Sequence, residues 1–123
     1  MTTNGRDSRV TISTHVLDTS GGQPASGVRV SLELVAVGGS ARVIAQDTTD
    51  ADGRIRDVGG AEGVPGPGVY RLRFDTDHHF RESGQGEAFF PEVTITFRVA
   101  AGVSHYHVPL LLSPYGYTTY RGS

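Results

Sequence analysis

From Arg9 to Leu17 the chain alternates with a period of two: Val10, Ile12, Thr14 and Val16 are separated by Thr11, Ser13 and His15. Successive side chains of an extended chain point to opposite sides, so this pattern marks a strand with one face in a core and His15 on the other. The same alternation returns over Val28–Val37, over Val69–Thr76 with Tyr70, Leu72 and Phe74 inward, and over Glu92–Ala100 with Val93, Ile95, Phe97 and Val99 inward. It returns again over Ser104–Leu112, where Tyr106, Val108, Leu110 and Leu112 oppose His105, His107, Pro109 and Leu111. Further strands fit Ala41–Thr49, Arg54–Val58 with Ile55 inward, and Tyr115–Arg121 after Pro114. Between them lie turn-forming stretches: Asp18–Gly27 (DTSGGQPASG), Asp50–Gly53 (DADG) and Gly59–Gly68 (GGAEGVPGPG). The 17 glycines and 6 prolines exceed the usual share of ~12 % for the two residues together, as many short strands require. About eight strands at roughly 8–12-residue spacing predict an all-β fold, a two-sheet antiparallel sandwich. Asp75–Ser83 opens on capping residues and ends before a glycine, so it predicts one short helix.

At 123 residues the chain is one domain. Residues 1–8 (MTTNGRDS) read as a flexible N-terminal tail and residues 9–123 as the domain. The net charge of -2 argues against nucleic-acid or anionic-membrane partners. The polar start and the short apolar run Val108–Leu112 offer neither a secretory signal nor a membrane span, which makes the cytoplasm the expected location. All 11 basic residues are arginine and there is no cysteine, which excludes lysine Schiff-base chemistry, thiolate nucleophiles and a disulfide framework.

The outward strand positions carry His15, Arg54, His105 and His107. Histidines at i and i+2 of one strand project from the same face about 7 Å apart. Joined by His15, such a pair has the make-up of an open zinc site for hydrolysis. Exposed histidines on a wetted sheet are the plain alternative. Pro109 and Leu111 make the His107 face partly apolar, so an interface between subunits is expected there, with a ligand pocket between them. His78 and His79 read as solvated surface, and Asp50/Asp52 and Asp75/Asp77 as turn and cap residues. Neither a phosphate-cradling loop nor a serine triad around Ser20, Ser26 or Ser113 finds support.

The segments Ser13–Leu34 (STHVLDTSGGQPASGVRVSLEL), Asp50–Val58 (DADGRIRDV), Phe89–Phe97 (FFPEVTITF) and His105–Ser123 (HYHVPLLLSPYGYTTYRGS) resemble the 5-hydroxyisourate hydrolases, the transthyretin-related enzymes of urate breakdown. The terminal YRGS and the HVLD block carry the specificity. The resemblance implies a transthyretin-like sandwich of two four-stranded sheets with one short helix. It also implies a homotetramer, a dimer of dimers, with active sites in a central channel. The implied activity is cofactor-free hydrolysis of 5-hydroxyisourate, a small planar heterocycle, to 2-oxo-4-hydroxy-4-carboxy-5-ureidoimidazoline, with no metal. The implied catalytic set is His15, Arg54, His107 and Ser123, with Tyr120 joining them in substrate binding. The related hormone carriers have lysine, glutamate and threonine in place of His15, Arg54 and His107. A non-catalytic carrier of planar ligands and a zinc-dependent amide hydrolase are the two alternatives.

Overall fold

The computed structural model describes residues 9–123, so the tail expected over residues 1–8 lies outside the described residues. The strands are β1 (Thr11–Asp18), β2 (Gln23–Pro24), β3 (Arg29–Val35), β4 (Ala41–Thr48), β5 (Arg54–Ile55), β6 (Gly68–Asp75), β7 (Glu92–Val99), β8 (His105–His107), β9 (Leu110–Ser113) and β10 (Gly116–Thr119). One helix, α1 (Thr76–Glu82), follows β6, and a single 3-10 turn, Gly60–Glu62, lies in the glycine-rich loop. No described helix is long and apolar enough to cross a membrane.

Two sheets face each other across one core. The first runs β4-β3-β6-β7, antiparallel throughout. In the second, β1 is flanked by β2 and β5 on one side and by β8 and β9 on the other, with β10 beyond β9. The inward residues of both sheets are buried as the alternation predicts: Ile12, Val16, Val30, Leu32, Leu72, Phe74, Val93, Leu110 and Leu112 are among those essentially without exposure.

Two details differ from the sequence expectation. One sheet has the four strands anticipated, whereas the other is assembled from six segments. Pro109 has no N–H to give the ladder, and the single strand expected over Ser104–Leu112 is divided there into β8 and β9. The sandwich is also mixed rather than purely antiparallel, because β8 and β9 run parallel to β1. The connection between them passes through the entire first sheet, which supplies the long crossover a parallel return requires.

The helix begins where its cap predicts, with the Asp75 carboxylate accepting from the N–H of His78. Phe80 enters the core. His79 does not lie on the solvated surface assigned to it. Its Nε2 donates to the buried Asp18 carboxylate at 2.8 Å, because the turn that sends Phe80 inward also aims the neighbouring ring at the end of β1. Asp18 further accepts from the Ser20 hydroxyl, the N–H groups of Ser20 and Gly21, and the Gln85 amide. Burial pushes this carboxyl up, but the hydrogen bonds from Ser20, His79, Gln85 and Gly21 together outweigh it and hold it well below the usual carboxylate range. A depressed pKa contributes stability above the unfolded value of about 3.9, lost as pH falls toward the folded value. Asp18→Ala should therefore cost about 1–3 kcal/mol at neutral pH, read from urea midpoints, because it leaves buried donors without an acceptor. The difference from wild type should shrink below about pH 4.

Candidate active site

The outward face of β1 presents Thr11, Ser13 and His15, each half-buried. Sheet register then decides their neighbours. On one side Thr11 lies opposite His105 and Ser13 opposite His107; on the other His15 lies opposite Arg54. Residues nearly a hundred positions apart in sequence thus share one patch.

The Asp50–Gly53 turn delivers Arg54. The Asp50 side chain accepts from the N–H groups of Asp52 and Arg54, closing the turn. Gly53 has φ 75° and is buried against β1, where its carbonyl accepts from Val16 N–H at 2.7 Å. A Cβ at this position would overlap the Val16 carbonyl, so both the backbone conformation and the close approach require glycine. His15 is tied to the same turn, since its Nε2 donates to the Asp52 carbonyl at 2.9 Å.

The C-terminus closes the other side. Gly122 N–H donates to the His107 carbonyl at 2.8 Å and forms an isolated bridge with it. A Cβ on Gly122 would overlap Cδ2 of the His107 ring and lie 3.1 Å from its Cγ. The glycine of YRGS therefore lets the tail lie flat on the imidazole, and Ser123 follows directly at the rim.

An open cleft of about 500 Å³ results, walled by Ser13, Arg54, His105, His107 and Ser123 among others. Three of the four expected catalytic residues, Arg54, His107 and Ser123, line it together. His15 stands beside it, opposite Arg54 on the adjoining strand. Tyr120 goes elsewhere: it lines a neighbouring hollow of about 310 Å³ with Phe97, Tyr106 and Arg121, on whose far side His107 also borders. Among the described residues no three His, Cys, Asp or Glu side chains converge as a metal-ligand set.

Burial chiefly, then the positive fields of His105, His15 and Arg54, hold the His107 imidazole below its ordinary pKa; a hydrogen bond to the Ser13 backbone opposes them. A neutral ring at neutral pH is a base in waiting, beside a guanidinium that carries charge at any working pH. Sequence reasoning overlooked Thr11 and Ser13. The Ser13 hydroxyl lies 2.8 Å from Nδ1 of His107 and 3.3 Å from Nε2 of His105, and the Thr11 hydroxyl 2.6 Å from Nδ1 of His105. The signal was there, since the period of two already put both on the face of His15.

The comparisons with known proteins agree on one family. The model of the HIUase/Transthyretin family matches residues 12–122. The 5-hydroxyisourate hydrolase of Salmonella dublin is 46 % identical over 112 residues, covering 91 % of this chain and 80 % of that protein. Among solved structures, the Klebsiella pneumoniae 5-hydroxyisourate hydrolase superposes with a TM-score of 0.79 at 39 % identity, covering 93 % of this chain and 99 % of that one. Transthyretin from Sparus aurata superposes with a TM-score of 0.82 at 32 % identity, over 93 % and 97 % of the two chains. Strand order, helix position and matched residues thus lead to one statement: the chain belongs to the HIUase/Transthyretin family.

Proposed function

We propose that this protein is the hydrolase branch of that family and opens the ring amide of 5-hydroxyisourate with water. The observation that carries this reading is the meeting of His107, Arg54 and Ser123 in one cleft, with His15 at its edge. A carrier of planar ligands needs apolar walls and a few fixed polar groups. This cleft instead pairs a neutral base with a fixed cation, the two things amide hydrolysis requires.

In this mechanism a histidine of the His15–His107 pair removes a proton from the attacking water, and Arg54 binds the heterocycle's oxygens and stabilises the growing oxyanion. The planar fork of the guanidinium suits two adjacent oxygen acceptors. Ser123, through its hydroxyl, orients substrate or water. As the C–N bond breaks, the proton held by the histidine passes to the leaving ring nitrogen. Tyr120 sits outside the cleft in one chain, and its expected part in substrate binding belongs to the assembled oligomer.

The oligomer is a homotetramer in this reading. Phe89, Phe90, Tyr115 and Tyr117 form an exposed aromatic cluster, with ring centroids 4.8 Å apart for Phe89–Phe90 and 5.3 Å for Phe90–Tyr117. It lies beside β7 and β10, each the last strand of its sheet. Open edges next to apolar surface favour pairing with a second copy.

Three outcomes test these statements. When 5-hydroxyisourate is generated in situ with urate oxidase, its absorbance should decay faster with this protein than in buffer. His107→Ala should slow the reaction about 10²–10⁴-fold and Arg54→Ala about 10²–10³-fold; decay no faster than buffer refutes the activity. The acid limb of kcat/KM should fall below the ordinary histidine value of about 6.5, since protonating His107 removes the base and its pKa is depressed. A limb at or above that value contradicts the assignment. Light scattering should give four times the chain mass, and Phe90→Arg with Tyr117→Arg should lower it.

A further inference from the structure

The four polar side chains at the rim of the cleft form one continuous hydrogen-bonded chain, and its direction can be worked out from one end. The Thr11 hydroxyl lies 3.4 Å from the Ser104 carbonyl, which can only accept; donating there adds a hydrogen bond that is lost if the proton goes to His105 instead, so this direction satisfies one contact more. Its oxygen is then the acceptor in the 2.6 Å contact with His105, which makes Nδ1 of His105 the donor. A neutral imidazole carries one N–H, so Nε2 of His105 is bare and accepts the Ser13 hydroxyl proton across 3.3 Å. The Ser13 oxygen, its proton spent, accepts from Nδ1–H of His107 at 2.8 Å. The hydrogen bond from the His107 ring to the Ser13 backbone works the same way, favouring a proton on the ring.

We propose that Thr11, His105 and Ser13 form a one-way chain that holds His107 as its Nδ1–H tautomer, so that the bare Nε2 of His107 is the atom that deprotonates the attacking water, with Ser13 as the positioning residue. The inference rests on the hydrolase reading and deepens it by choosing between the two histidines. His15 is held in the opposite tautomer, because its Nε2 faces the Asp52 carbonyl and must donate to it, which leaves its lone pair on Nδ1, the nitrogen nearer its own backbone. His15 thus keeps its proton on the nitrogen bound to the turn that carries Arg54, and serves as a fixed dipole and spacer beside the guanidinium.

The direction of the chain matters for the chemistry. When Nε2 takes a proton from water, the oxygen forms the new C–O bond at the substrate carbonyl carbon, and His107 becomes an imidazolium with both nitrogens protonated. Nδ1–H is already donated to Ser13, so this hydrogen bond survives and strengthens as the charge appears. Run the other way, with Ser13 donating to Nδ1, the neutral ring would carry its proton on Nε2 and have no lone pair there to take a proton from water. When the C–N bond breaks, the Nε2 proton goes to the leaving nitrogen, and the neutral Nδ1–H tautomer is restored with no rearrangement behind it.

The decisive experiment is long-range 1H–15N correlation on the ligand-free wild-type protein above the His107 pKa, with its ring signals assigned by loss in His107→Gln. The expected result is a protonated Nδ1 and a bare Nε2 for His107, with the reverse for His15. A His107 ring protonated on Nε2 overturns the proposal, whether or not the protein turns over substrate. Lack of turnover with the expected tautomer would instead refute the hydrolase reading. In kinetics, Ser13→Ala should lower kcat about 10–100-fold with KM little changed, and Ser13→Thr, which keeps the hydroxyl, should restore most of it. Wild-type kcat in Ser13→Ala also overturns the proposal.

Discussion

Strand β1 must satisfy hydrogen bonds along both of its edges, and no single neighbour does so. Its upper half pairs with β2 and β9, its lower half with β5 and β8. A buried backbone group left unpaired costs as much as a lost hydrogen bond, so each short segment is held in register by the strand it completes. Three of these segments bring chemistry with them. β5 carries Arg54, β8 carries the two histidines, and the bridge at His107 recruits the C-terminal tail. The site is therefore a by-product of closing β1 on both sides, and its precision is that of a sheet ladder rather than of loops. That is the rigid support a catalytic constellation needs.

The electrostatics follow from this crowding. His15, His105, His107 and Arg54 are drawn together on one face, and the described part of the cleft has only Asp52 as an acidic side chain in its walls. Burial is the first cause that holds the His107 imidazole below its ordinary pKa, and the neighbouring His105, His15 and Arg54 add to it. In the proposed reaction the fixed charge of Arg54 meets the negative charge that grows on the substrate as water adds. The opposite end of β1 shows the reverse arrangement, where Asp18 is surrounded by donors and stays ionised. One strand thus ends in an anion fixed by hydrogen bonds, and along its outward face pairs with a strand whose His107 is kept neutral chiefly by burial.

Much of this was legible in the sequence wherever the governing interaction is local. Alternation separated Ile12, Thr14 and Val16 from Ser13 and His15 and set Ile55 against Arg54 and Arg56, and the structure has the same faces. Asp75 as a cap and Asp50 as a turn acceptor act within four residues, so their side-chain chemistry announced them. What was not legible depends on distant register. The Ser13 contact with His107 spans 94 positions, and the His79 contact with Asp18 spans 61. Alternation says which way a residue points but not what lies opposite, and so Ser13 went unnoticed and His79 read as surface. Pro109 showed its missing donor in plain view, yet whether it ends a strand or only interrupts one depends on β1 continuing past it to pair with β9.

The same logic explains why the chain's last residues belong to the site at all. A terminal segment is usually poorly ordered unless something ties it down. Here the tie is main-chain, from Gly122 N–H to the His107 carbonyl, and it is possible only because no side chain intervenes between tail and ring. The contact works in both directions: His107 anchors the tail, and the tail covers one face of His107, adding to the burial that keeps its imidazole neutral. The tail and the Ser13 hydroxyl then confine the imidazole from two sides, and among the described residues none bonds its Nε2. A scaffold that merely bound planar molecules would gain nothing by fixing a tautomer, whereas a hydrolase gains a lone pair of known position.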